Sequence, residues 1–179
     1  MWASSTRWCG GSFKRQKDNK ATSQRDKLKT LSLKNELLDF FKMIIDQKIM
    51  DSLSQQAKAN PRLRQAFDLS TTPEDQSQRI LNAVEPGTIL PIHRHRGSTE
   101  TIIVLRGKVV QHYYNDAGEK TASYELAPNS AQVGMSVPVG QWHALESLEE
   151  GSIIFECKDG AYQPLSAEDI LEVEIFGKD

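Results

Sequence analysis

Two hydrophobic periodicities divide the chain. After Asp46, apolar residues at Ile49, Met50, Leu53 and Ala57 recur every three or four positions, which predicts one apolar stripe on a helix until Asn60-Pro61 stops it. Asp46 is suited to the N-cap, because its carboxylate can accept a backbone N–H that the first turn leaves unpaired. This helix is expected to cover one mouth of whatever follows. A less regular stripe, Leu31, Leu33, Leu37, Leu38, Phe40 and Phe41, predicts a short amphipathic helix over 31–42. Beyond residue 78 the texture changes to strand-length runs separated by turn residues, at 79–84, 101–105, 108–114, 123–126, 132–137, 152–157 and 171–176. Asn115-Asp116-Ala117-Gly118 supplies a hairpin turn between two of them. No helical period interrupts these runs and no internal repeat is visible. The expectation is an all-β, double-sheet jelly-roll barrel with one or two helices N-terminal to it.

Charge sharpens the division. The 179 residues carry a net charge of −2, yet residues 1–42 hold ten Lys/Arg against four Asp/Glu, a net +6, and the rest of the chain is acidic at −8. The first thirty residues are basic and rich in Ser, Thr, Lys and Gln, so 1–42 is expected to be a largely disordered extension with the short helix at its end. Residues 43–77 then form a helical cap and connecting loop, and 78–179 the barrel. No apolar stretch of signal-peptide type follows the basic residues, and no run approaches the roughly eighteen apolar residues of a membrane helix. An acidic domain behind the basic arm makes a nucleic-acid partner a poor expectation. Cys9 and Cys157 are too few for a disulfide framework, which suits the cytoplasm. Cys157, between Glu156 and Lys158 in a strand-like run, should face opposite to both as a buried free thiol.

Three of the four histidines share one constellation. His93 and His95 are spaced i, i+2, which on a strand puts both side chains on one face. Glu100 follows the turn-prone Arg96-Gly97-Ser98, so the chain can reverse and return its carboxylate towards the imidazoles. His143, from a distant hairpin, would complete the set. Three imidazoles and a carboxylate suit one divalent transition metal, Mn, Fe, Zn or Ni, rather than Ca or Mg, and leave an octahedral ion two positions for water or substrate. Because imidazole binds metal only when neutral, affinity should fall as pH drops towards and below about 6.5. The fourth histidine, His112, lies outside this constellation and reads as a surface or edge-strand residue.

The constellation resembles the cupin superfamily. Gly87-x5-His93-x-His95-x4-Glu100-x6-Gly107 matches the first cupin motif in every spacing. The second motif is partial: Pro138-x-Gly140-x2-His143 is present, but its leading glycine falls at Gln132, with Gly134 out of register, and its trailing asparagine at Ser147. A narrower resemblance, to the WbuC-type cupin metalloproteins, runs from Met43 through Ile45-Asp46-Gln47, Arg62-x-Arg64, Gln78-Arg79-x-Leu81-Asn82-Ala83-x-Glu85-Pro86-Gly87-Thr88, Leu105-Arg106-Gly107, Trp142-His143, Phe155-Glu156-x-Lys158 and Gly160-x-Tyr162. It departs from that family at Ile89, at Ser98-Thr99 and at Ala161. Because the similarity begins at Met43, translation from that methionine is preferred to a transit peptide as the account of the extension.

The resemblance implies a small metal-binding barrel, often encoded with surface-polysaccharide genes, that takes a small and possibly carbohydrate-derived molecule; it implies no reaction. Candidate substrate contacts are Arg79, Asn82, Trp142, Lys158 and Tyr162, with Gln78 and Arg94 behind them. Arg79 and Asn82 sit three apart, so a regular strand turns only one of them inward. Two functional classes stay open. One is a metal-dependent enzyme, an isomerase or epimerase, or a dioxygenase if the ion is Fe or Mn. The other is a non-catalytic binding or sensing module, favoured by the lack of an evident extra histidine or carboxylate beside the motif. A homodimer is an open assembly.

Overall fold

The helical period after Asp46 becomes α1 (Gln47–Ala59), and Asp46 caps it as its chemistry suggests: Ile49 N–H donates to Asp46 Oδ1 at 3.0 Å. The computed structural model describes Lys29 and residues 44–171, apart from Pro73 and Ile89. The basic extension, the helix expected over 31–42 and most of the strand expected over 171–176 lie outside the described residues. Residues 45–171 fall within one compact unit.

Among the described residues ten strands follow: β1 (Arg64–Asp68), β2 (Ser77–Val84), β3 (Ile92–His93), β4 (Glu100–Arg106), β5 (Val109–Tyr114), β6 (Lys120–Leu126), β7 (Gly134–Val137), β8 (Trp142–Ser147), β9 (Ser152–Asp159) and β10 (Ile170–Leu171). They form two antiparallel sheets, ordered β1-β2-β9-β4-β7 and β10-β3-β8-β5-β6, as expected for a jelly roll. Three strands escape the sequence pattern. Edge strand β1, Arg-Gln-Ala-Phe-Asp, has too few apolar residues to show; β3 is two residues long; and β8 spends an inward position on His143 instead of an aliphatic side chain. The turn at 115–118 is present, with Gly118 N–H returning to Asn115 O at 3.0 Å.

Alternation along the strands sorts the core. Val84, Ile102, Val104, Val109, Leu126, Val137, Leu145 and Ile154 pack together between the sheets. Leu81, Ala83 and Ile153, on the opposite faces of β2 and β9, pack instead with Met50, Leu53 and Ala57 of α1. The helix therefore covers the outer face of the first sheet and not a barrel mouth. The reason is visible in β2, whose residues 81–84 are buried on both sides, so that its outer face needs a cover. Glu85 ties the helix down: Ser54 Oγ donates to Glu85 Oε1 at 2.8 Å and Gly151 N–H to Oε2 at 2.9 Å, which satisfies a carboxylate that is otherwise buried. Arg106 adds a bond to the Met50 carbonyl at 3.1 Å.

The glycine that closes the first motif has a structural task. Gly107 sits at φ +77°, and a Cβ there would fall 2.8 Å from Ser152 Cα and 2.3 Å from its Oγ. Left-handed strain and a backbone clash coincide. Gly107→Ala is expected to destabilise the fold by more than about 2 kcal/mol, read as a lowered urea midpoint at unchanged slope; a midpoint equal to that of the parent chain would refute the close-approach argument.

Candidate metal centre

His93 ends β3, Glu100 begins β4 and His143 lies second in β8, directly opposite His93 across the β3–β8 pair. His95 lies just beyond β3, so only one of the two adjacent imidazoles stands on a regular strand; Gly140 N–H holds the His95 carbonyl at 2.8 Å. The four side chains converge nonetheless. One ligand atom from each of His93, His95, Glu100 and His143 lies within 4.8 Å of the others, and the three ring centroids are 4.3, 5.0 and 5.5 Å apart.

Hydrogen bonds behind the rings aim them. His93 Nδ1 contacts Pro91 O at 3.1 Å and His143 Nδ1 contacts Gln141 O at 2.8 Å. A carbonyl oxygen only accepts, so each Nδ1 carries the proton and a neutral ring turns its Nε2 lone pair inward. Burial pushes His93 down to about 3, with the proximity of the His143 ring adding to the effect, which keeps the His93 imidazole neutral well below the ordinary histidine value. Proton competition at this ligand therefore sets in lower than the sequence expectation of about 6.5. Burial would raise the Glu100 carboxyl, but His143, His95 and then Lys158 hold it well below the usual range. Glu100 Oε2 lies 2.7 Å from His95 Nε2 and 3.6 Å from His143 Nε2. Both Glu100 Oε2 and His143 Nε2 are buried without a hydrogen-bond partner. Two electron-pair donors that face each other in a buried space fit a shared cation.

The other candidate residues divide by face. Asn82 points inward, 2% exposed, and its Nδ2 donates to Glu156 Oε2 at 2.8 Å. Lys158, paired with Glu100 in the β4–β9 register, brings its Nζ to 3.1 Å from His95 Nε2 and 3.6 Å from Glu100 Oε2. Arg79 takes the outer face of β2 and pairs with Asp75, so of the two residues three apart it is Asn82 that reaches the interior. Trp142 faces away from His143, packs with Ile92, Tyr114 and Ala144, and donates Nε1–H to Asp116 at 2.9 Å. Arg94 lies over the Trp142 ring at 4.2 Å and bonds Asp169, outside the cage. Tyr162 is 68% exposed, and Gln78 bonds the Gly160 carbonyl at 3.3 Å.

Two placements correct the expectations, and a third explains a departure from the motif. His112 is no surface or edge residue: it is buried in β5, between β6 and β8, with Nδ1 2.8 Å from Ser123 Oγ and Nε2 3.0 Å from Glu146. Cys157 is free and faces away from Glu156 and Lys158, but it is only partly buried. Gly134, out of register with the second motif, is required where it stands, because a Cβ would meet Ile102 O at 2.3 Å. Sequence reasoning passed over Glu156 and Arg64 as site residues. The available signal was alternation: Glu156 shares its face of β9 with Lys158 and Ile154, and Arg64 pairs with inward-facing Val84.

A family model described as a domain of unknown function, DUF6016, matches residues 45–126, which includes His93, His95 and Glu100 and ends before His143. No curated protein matches the sequence. Among solved structures, two crystal structures of the capsular polysaccharide assembling protein CapF from Staphylococcus aureus are similar, at 22% identity and TM-scores of 0.50 and 0.51. They cover 60% and 64% of this chain, which spans only 30% and 33% of theirs. A looser likeness, TM-score 0.44 at 19% identity, runs to KdgF from Halomonas sp. over 56% of this chain and 82% of that one.

The second carboxylate on the inner face has a measurable consequence. Burial, followed by the charge of Glu100, raises Glu156 to about 7. Between the ordinary carboxylate value and about 7 the folded chain therefore holds a proton that the unfolded chain releases, and this stability is lost as pH rises. Glu156→Gln keeps an oxygen for Asn82 and cannot ionise. In metal-free protein it should gain on the order of 1–2 kcal/mol over the parent chain between about pH 4.5 and 8; parallel denaturation profiles of the two proteins across that range would show the burial argument to be wrong.

With its two five-stranded antiparallel sheets, its covering N-terminal helix and cupin structures as neighbours, the chain has the fold of the cupin superfamily.

Proposed function

We propose that this protein is a metal-binding cupin of the WbuC type that holds one divalent transition metal on His93, His95, Glu100 and His143 and takes a small, carbohydrate-derived molecule at that centre. The convergence of four ligand atoms within 4.8 Å carries the reading. The protonated Nδ1 positions of His93 and His143 support it, because they leave only inward Nε2 lone pairs. A divalent ion bound there would polarise a carbonyl or hydroxyl oxygen placed on it. Mn, Fe, Zn and Ni all suit such a donor set. Surface-polysaccharide metabolism is the setting in which to seek the substrate, as the WbuC resemblance implies; the capsular role belongs to CapF.

Of the two classes, the enzyme reading gains from the fold. The motif shows no carboxylate beside the ligands in sequence, which favoured a passive binding module. Folding supplies Glu156 on the inner face of β9, held by Asn82 and separate from the ligand Glu100. A metal-dependent isomerase or epimerase needs such a group to move a proton. For cellular setting the proposal is the cytoplasm; among the described residues no helix is long and apolar enough to cross a membrane.

His93→Ala and His143→Ala should each lose stoichiometric metal by elemental analysis while keeping the circular dichroism of the parent chain. Full metal content in either variant would overturn the ligand assignment.

A further inference from the structure

The inner face of the first sheet carries a second polar group beside the cage. Lys158 stands level with Glu100, and Glu156 is one inward position, roughly 7 Å of strand, deeper. Asn82, from β2, fixes Glu156 through Oε2. Oε1 of Glu156 has no hydrogen bond among the described residues. Arg64 enters from β1. Its register partner Val84 packs in the core between the sheets, whereas the alternate residue Phe67 packs on the helix side with Leu81. The Arg64 side chain is therefore on the face that bears Glu156.

Arg64 is partly buried, and its guanidinium forms neither a hydrogen bond nor an ion pair with any described residue. Burial lowers its pKa, and the charges of Glu156, Glu100 and Tyr162 act on it in the opposite direction. Arg64 in turn acts on Glu156 more strongly than Lys158 does. A guanidinium partly withdrawn from water, with no paired acceptor among the described residues, is free to receive an anion. The charge balance agrees: Glu100 and Glu156 offset Lys158 and Arg64, so the charge of a bound divalent ion would be left over.

We propose that Arg64, Lys158 and Glu156 form a subsite for a small hydroxy acid, with the two cations receiving its carboxylate and Glu156 Oε1 accepting from a hydroxyl. The planar fork of Arg64 suits a carboxylate, which it can bind through two N–H donors. Asn82 is a positioning residue, because its amide holds Glu156 with one oxygen turned to the ligand. The subsite rests on the metal-cage reading for its location and excludes uncharged polyols as the preferred ligand class.

The test uses the full chain loaded with Mn(II), its metal content measured before any ligand is added, and calorimetric titration with glycerate and with its neutral amide, glyceramide. Glycerate is expected to bind at least tenfold more tightly than glyceramide. Arg64→Gln should remove most of that preference, by about tenfold in glycerate affinity, with glyceramide binding and metal content unchanged, and Arg64→Lys should restore part of it. Equal binding of the two ligands by the parent chain, or parental glycerate affinity in a folded Arg64→Gln protein with full metal, overturns the subsite and leaves the cage standing. A parent chain that takes up none of Mn(II), Fe(II), Zn(II) and Ni(II) overturns the cage reading instead, and one that takes another of these ions in place of Mn(II) is titrated with that ion bound.

Discussion

The site depends on a buried carboxylate that no ordinary donor satisfies. Glu100 is 4% exposed, and its Oε2, which forms no hydrogen bond, faces His95 Nε2 at 2.7 Å, His143 Nε2 at 3.6 Å, whose ring proton is held on Nδ1 by the Gln141 carbonyl, and the Lys158 ammonium at 3.6 Å. Desolvating a carboxylate against lone pairs is unfavourable by several kcal/mol unless a proton or a cation lies between them. A proton can serve one contact, whereas a metal ion serves all four ligands at once. The carbonyls of Pro91 and Gln141 thus matter as much as the ligands, since they decide which nitrogen of each ring is basic and where it points.

The barrel provides the frame that makes this arrangement reproducible. His93 and His143 face each other across paired strands, and Glu100 lies in register with Lys158 on β9. Such cross-strand neighbours are set by backbone hydrogen bonds, so a slip of one residue would turn each ligand to the outer face. The outer face has its own task on β2 and β9, where Leu81, Ala83 and Ile153 bury α1. Register is therefore constrained from both sides: sliding β2 would expose the helix contact and bury Arg79 in place of Asn82.

The interior is also graded along its length. Towards the cage it is polar, with Lys158, Glu156 and Asn82 on successive inward or adjoining positions, and beyond them Ile154, Val104 and Val84 close the core. The polarity of the inner face therefore falls with distance from the cage.

Read alone, the sequence was enough for the elements whose signals are local. The capped helix from Asp46, the central strands with strong apolar runs, the 115–118 turn and the spacing that gathers His93, His95 and Glu100 all rest on interactions within a few residues, which the chain carries in its own order. It did not show β1, β3 or β8, whose residues are polar, short or committed to ligands and are held in place by neighbours distant in sequence. Nor did it show which face of β2 would meet the helix, that Arg79 turns outward to Asp75, that Trp142 packs away from the cage, or that His112 is buried between Ser123 and Glu146. Arg64 and Glu156 look like ordinary strand charges until β1, β2 and β9 are laid side by side. Those decisions belong to tertiary structure, because a strand's alternation says that two faces exist, while only the packing of other elements against them says which face is the interior.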